Sequence, residues 1–102
     1  MKYQLVIQFP EELFEEIDEI AELEDILDHS LVDAEVDGHD IGSGECNIFI
    51  HTNNHVNTFE TVKHILEEQN FNIEYVKIAF REIGADQYIA IWPESLDEFI
   101  IN

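Results

Sequence analysis

LVDAEVDGHDIGSGECNIFIHT, residues 31–52, holds two runs of alternating apolar residues on either side of a glycine-rich stretch, and its reading decides the fold. In LVDAEVD (31–37), Val32, Ala34 and Val36 fall on one side of a strand. In ECNIFIHT (45–52), Cys46, Ile48 and Ile50 do the same. GHDIGSG (38–44) reads as the turn between them. Gly38, Gly42 and Gly44 permit left-handed backbone angles, and Asp37, Asp40 and Ser43 can accept hydrogen bonds from local N–H groups. Strands joined this directly pair antiparallel, so the middle of the chain is a hairpin and not a crossover.

Outward from the hairpin the periods change. KYQLVIQF (2–9) alternates, with Tyr3, Leu5, Ile7 and Phe9 on one face of a half-buried strand. Pro10 is placed to open a helix, where its missing N–H costs nothing, and Leu13, Ile17, Ile20, Leu23 and Leu27 recur at helical spacing from Glu11 to about Asp28. Beyond the hairpin, Asn57 with Glu60 has the form of a helix cap, and Phe59, Val62, Ile65 and Leu66 supply the next apolar stripe. NIEYVKIAFREI (72–83), the turn GADQ and YIAIW (88–92) read as a second hairpin. Ser95 with Glu98 is placed to cap one last helical turn. The order β-α-β-β-α-β-β predicts an α+β fold in one domain spanning 1–102: a ferredoxin-like βαββαβ sandwich with an extra C-terminal strand and a short tail helix.

In such a sandwich both helices cover one sheet face. Strand parity then puts Asp33, Glu35 and Asp37, with Glu45, Asn47, Phe49 and His51, at one end of the other face. It puts Tyr75, Lys77 and Arg81, with Tyr88 and Trp92, at the opposite end. The aromatic end is expected to be covered either by the C-terminal tail, through Leu96, Phe99 and Ile100, or by a second copy of the chain in a homodimer.

Charge narrows the function. The 102 residues carry 24 acids against Lys2, Lys63, Lys77 and Arg81, a formal charge of −20. Such a field repels phosphate backbones and anionic membranes, which leaves basic proteins, polycations and metal ions as partners and argues against direct nucleic-acid or membrane binding. Ten of the acids lie between Glu11 and Asp28. On one helix they would place a charge every ~2.7 Å, within a factor of two of duplex DNA at one per ~1.7 Å, so this face could occupy a site built for phosphates. A solvated surface helix that only confers solubility is the plainer account. Disorder is disfavoured by 45% apolar residues. One cysteine excludes an internal disulfide and suits a reducing compartment. No stretch approaches ~20 apolar residues, and MKYQLVIQFPEE is too soon acidic for a signal peptide, so a cytoplasmic location is expected.

The hairpin stretch is rich in chemistry-bearing residues, but it names no reaction. Asp37, His39, Asp40 and Glu45 lack the alternation and the twelfth-position glutamate of an EF-hand. A zinc site would usually recruit Cys46, which parity turns inward. The glycines lack the lysine and the following helix of a phosphate cradle. Cys46 and His51 share no face, which removes a Cys-His nucleophile. A metal-dependent enzyme centred on Asp37, His39 and Asp40 trails behind, and neither catalytic residue, cofactor nor metal is assigned.

VDGHDIGSGECNIFI, together with AFREIGADQYIAIWP, resembles a pattern carried by small bacterial single-domain proteins that have no assigned function. The resemblance spans most of the chain but not the first helix, and it implies no mechanism or site residue. The leading expectation is therefore a small acidic binding protein, an immunity protein, antidote or inhibitor that masks a basic partner such as a nuclease toxin. Glu15, Glu19, Glu22, Asp33, Glu35, Asp37, Asp40, Glu45, Tyr75, Tyr88 and Trp92 would meet that partner. The alternative is a housekeeping regulatory or ligand-sensing domain that dimerises through its open sheet face.

Overall fold

In the computed structural model, which describes residues 1–101, YQLVIQFP forms strand β1 (Tyr3–Pro10) at the centre of a five-stranded antiparallel sheet. The order of the sheet is β2-β3-β1-β4-β5, with β2 Ala34–Gly42, β3 Glu45–Thr52, β4 Lys77–Glu82 and β5 Ile89–Trp92. Helices α1 (Ile17–Ser30) and α2 (His55–Glu68) complete the α+β fold. The expected element order is therefore present, apart from the tail helix.

The main core forms where one side of each strand meets both helices. Leu5, Ile7 and Phe9 of β1, Cys46, Ile48 and Ile50 of β3, and Ile78 of β4 pack against Ile20, Leu23 and Leu27 of α1 and Val62, Ile65 and Leu66 of α2. A smaller cluster occupies the other face, where Val6, Ala79 and Phe99 are buried beside Phe49, Tyr88, Ala90, Leu96 and Ile101. β1 is thus buried on both faces from Gln4 to Phe9, not half-buried as alternation implied. Its polar members are satisfied within the sheet: Gln8 Nε2 donates to Asn47 Oδ1 (3.0 Å), and Gln4 Oε1 accepts from Arg81 Nε (2.8 Å) and Tyr88 Oη (2.6 Å).

Local interactions correct several boundaries. Pro10 ends β1 instead of opening a helix, because the Glu11 N–H continues the β1–β3 pairing by donating to Gly44 O at 2.9 Å. One 3-10 turn follows (Glu11–Leu13), and Phe14 then packs against both Phe9 and Phe71, with ring centroids 5.2 and 5.7 Å away, in a cluster where Phe9 and Phe71 also touch at 5.6 Å. As a result α1 begins at Ile17, and Glu11, Glu12, Glu15 and Glu16 precede it. The expected run of ten charges on one helix falls to six. α2 is capped by the Asn54 side chain, which accepts from Asn57 N, and not by Asn57.

The GHDIG segment is strand, not turn. β2 runs to Gly42, and the connection to β3 is the two residues Ser43 (φ 54°) and Gly44 (φ 79°), whose paired positive angles match the right-handed twist of a tight hairpin. The register shifts between Val36 and Gly38, so Asp37 is a bulge and strand parity reverses beyond it. Asp33 precedes β2 at φ 58°.

The C-terminal half is shorter in strand than expected. Residues 72–76 form a 3-10 turn (Ile73–Tyr75), where the Asn72 side chain accepts from Glu74 N, so Tyr75 is an exposed turn residue and not a strand residue. Trp92 pairs with Ile78 and lies on the helix side, donating from Nε1 to Ile73 O at 2.9 Å beneath the Lys63 ammonium. Among the described residues no terminal helix forms: a turn closed by Leu96 N to Pro93 O leads into an irregular tail. Phe99, 6% exposed, docks that tail on the open sheet face, and Ile100 O accepts from Gln8 Nε2 at 3.1 Å.

Two measurements check this account. Phe99→Ala is expected to lower unfolding stability by about 2 kcal/mol in urea titration, the worth of one buried aromatic side chain. Trp92 emission should not move in that variant, since the indole is held on the opposite face. Gly44→Ala should cost about 1 kcal/mol or more because of its positive φ, whereas Gly42→Ala, on extended backbone in open space, should be close to neutral.

Candidate functional site

The most distinctive surface is built by α1 and the edge strand β2. Lys2 and Lys63 are successive basic residues, so β1, α1, β2, β3 and the first half of α2 contain no Lys or Arg. Among the described residues, the only side-chain ion pairs to carboxylates involve histidines: His39 with Glu24, His51 with Asp37 and His64 with Glu68. No lysine or arginine neutralises an acid there. Two of the four cations are instead turned onto rings, Lys63 4.3 Å above the Trp92 centroid and Arg81 5.5 Å from that of Tyr88.

Some of these acids serve the fold. Glu19 Oε2 accepts from the Glu15 N–H at 3.2 Å, closing the start of α1, where the helix dipole also favours Asp18 and Glu19. Glu24 Oε1 meets His39 Nδ1 at 2.7 Å, and Asp28 Oδ1 accepts from Val36 N at 3.2 Å, so both tie α1 to β2. Asp33 Oδ1 accepts from Asn53 Nδ2 at 2.9 Å. Others make no side-chain hydrogen bond among the described residues. Asp18, Glu22 and Asp25 project from α1, and Glu35, Asp37 and Asp40 are exposed on β2.

The expected site residues therefore divide. Glu22 projects from α1, while Glu35, Asp37 and Asp40 point from β2 toward the open sheet face, so these acids surround the α1–β2 edge from both sides of the sheet; Glu15, Glu19 and Asp33 border them in structural roles. Glu45 opens β3, opposite Gly42 and Pro10. Tyr75 stands apart in its turn, Tyr88 lies under the tail and Trp92 faces the helices, so the three aromatics do not form one patch. Sequence reasoning missed Glu24, Asp28 and His39 as the contacts that join helix to edge strand. It could have found the flank itself from the long gap between Lys2 and Lys63.

The hairpin does not assemble a reaction centre. Beyond the bulge, His39 pairs with Ile48 and takes the helix side, while Asp40 pairs with Asn47 and takes the opposite side. Asp37 Oδ2 sits 3.8 Å from His51 Nε2 on the open face. Among the described residues, no three His, Cys, Asp or Glu side chains gather where they could hold a metal ion. Cys46 is fully buried, and burial first, then the charges of Glu24, Asp40 and Glu11, push its thiol up to about 11. No helix is long and apolar enough to cross a membrane among the described residues. Comparison of the chain with protein-family models, with curated proteins and with solved structures gave no match in any of the three.

The thiol supplies a test of this electrostatic setting. Folded Cys46 should resist a thiol-specific chromogenic reagent at pH 8 and react fully in concentrated guanidinium. Because the folded thiol titrates near 11 and the unfolded one near 9.0, the unfolded chain loses its proton first. The wild-type protein should therefore lose more stability than Cys46→Ala as pH rises from 9 toward 11, with the two curves parallel below 9.

Proposed function

We propose that the protein is a small acidic binding protein that masks a basic partner, in the manner of an immunity or antidote protein against a nuclease toxin. The observation that carries this reading is the α1–β2 flank: six exposed carboxylates on two adjoining elements, with no lysine or arginine within ion-pair distance. Leaving those charges unneutralised costs stability through like-charge repulsion, about 0.2–0.5 kcal/mol for a helical pair such as Asp18 with Glu22. The same field speeds encounter with a positively charged surface and lets a small protein cover a cationic, phosphate-binding site. A cytoplasmic setting fits the lone, inward-facing cysteine.

The fold we propose is a ferredoxin-like sandwich with one added strand. Its support is the order β2-β3-β1-β4, with β5 appended beside β4 and both helices on one face. The alternative function, a regulatory domain dimerising through the open sheet face, needs that face free. Here the chain's own Phe99 and Ile101 pack on it, which favours the flank over the face as the contact surface.

The test begins by capturing partners on the immobilised protein at low and high salt and identifying any basic protein released by salt. Association is then followed by stopped flow. Glu22→Gln, Asp25→Asn, Glu35→Gln and Asp37→Asn combined should slow association about tenfold at low salt and flatten its salt dependence, with dissociation changed less. Unchanged association kinetics would reduce the flank to a solubilising surface.

A further inference from the structure

Asp37 is the only aspartate of the chain followed by glycine, and no asparagine is. Its side chain, 57% exposed, stands at the bulge where the pairing of β2 with β3 skips a residue, on an edge strand of the sheet. We propose that Asp37–Gly38 is a site of covalent self-modification, at which the carboxyl closes onto the next backbone nitrogen and the residue isomerises to L-isoaspartate with the help of His51.

The reaction needs only water. The Gly38 nitrogen attacks Asp37 Cγ and a C–N bond forms. One carboxylate oxygen leaves as water, taking the amide proton and one proton from the His51 imidazolium, which closes a five-membered succinimide. Water then opens the ring at either carbonyl, and the new carboxylic acid returns its proton to His51. Opening at the side-chain carbonyl restores aspartate, whereas opening at the α-carbonyl leaves the main chain running through Cγ as isoaspartate. No electrons change hands. The structure meets each requirement of that path. Glycine has no Cβ to shield the attacking nitrogen, and a Cβ built at Gly38 would meet no atom within 4 Å, so the ring has room to form. The bulge leaves Asp37 without a cross-strand partner, so the ladder does not clamp both sides of the peptide that must rotate. His51 Nε2 lies 3.8 Å from Asp37 Oδ2, where it supplies the proton that a lone carboxylate at neutral pH lacks. Isoaspartate keeps the negative charge but lengthens the main chain by one carbon. Two residues on, His39 meets Glu24 of α1 at 2.7 Å, so the change displaces a contact that joins helix to edge strand. The site does not depend on whether the acids meet a basic partner.

The test incubates the full chain at neutral pH below its melting temperature. Isoaspartate is counted by methyl transfer from an isoaspartate-specific methyltransferase and located by mass spectrometry with electron-transfer fragmentation. Residue 37 should accumulate it about tenfold ahead of every other aspartate, because each of those precedes a residue with a side chain. The folded chain should also react faster than the free peptide AEVDGHDI, which has the same Asp-Gly pair but no His51. Asp37→Glu keeps the charge but cannot close a five-membered ring, and it should abolish methylation. Asp37→Asn should reach the same succinimide faster, releasing ammonia in place of water. His51→Gln should slow the wild-type reaction about tenfold, the loss of one proton donor; the peptide comparison carries the test if that change disturbs the sheet. No excess of isoaspartate at residue 37, a folded chain slower than the peptide, or an unchanged rate in folded His51→Gln would overturn the proposal.

Discussion

The double burial of β1 is the constraint on which the rest of the structure depends. A central strand covered on both faces cannot alternate apolar with freely solvated polar residues, so every side chain from Gln4 to Phe9 must find its partner inside the protein. Leu5, Ile7 and Phe9 do so against the two helices. Val6 needs an apolar cover on the opposite face, and Phe99 of the tail supplies it. Gln4 and Gln8 need hydrogen bonds, which Arg81 of β4 and Asn47 of β3 provide from the neighbouring strands and Tyr88 from just before β5. One strand therefore fixes the register of β3 and β4 and the seat of Phe99 in the C-terminal tail.

Charge is placed around this frame with a division of labour. The acids nearest the α1–β2 contact are held by specific donors, Glu24 by His39 and Asp28 by the Val36 N–H, so the elements that carry most of the negative charge are also joined through it. The break of the first acidic segment at Phe14 works in the same direction. It moves four glutamates off the helix and relieves like-charge pairs that a continuous helix would have stacked at i, i+4. The aromatic contacts of Phe14 with Phe9 and Phe71 show that packing, not repulsion alone, sets where the helix starts.

Element order, the extent of β3 and the inward turn of Cys46 were legible in the sequence because each rests on an unbroken period. The acidic flank was legible in outline, since charge counts do not depend on register. What was not legible has a common cause. The glycines of residues 38–44 read as a turn where β2 in fact continues, and the bulge at Asp37 reverses parity along that half of the strand, so the reach of His39 to α1 was hidden twice over. A register shift beside Ile78 likewise put Trp92 on the helix side, where Ile73 O and Lys63 engage both its polar edge and its ring. Glycine and isoleucine around these points carry no signal of a one-residue slip, yet each slip redirects every side chain beyond it.

The two sheet edges differ in a way that bears on how this protein meets others. An edge strand exposes unpaired backbone groups and invites a further strand unless something blocks it. β2 is nine residues long, but it carries the Asp37 bulge and exposed Glu35 and Asp40, so another strand would meet a kinked ladder and like charges from a second copy. β5 is only four residues long and ends at Pro93, whose ring nitrogen offers no donor. Both edges thus disfavour strand addition, and the contacts left to the molecule are made by side chains. On the β2 side those side chains are the exposed carboxylates of Glu35, Asp37 and Asp40, which keep a second, equally acidic edge away by like-charge repulsion.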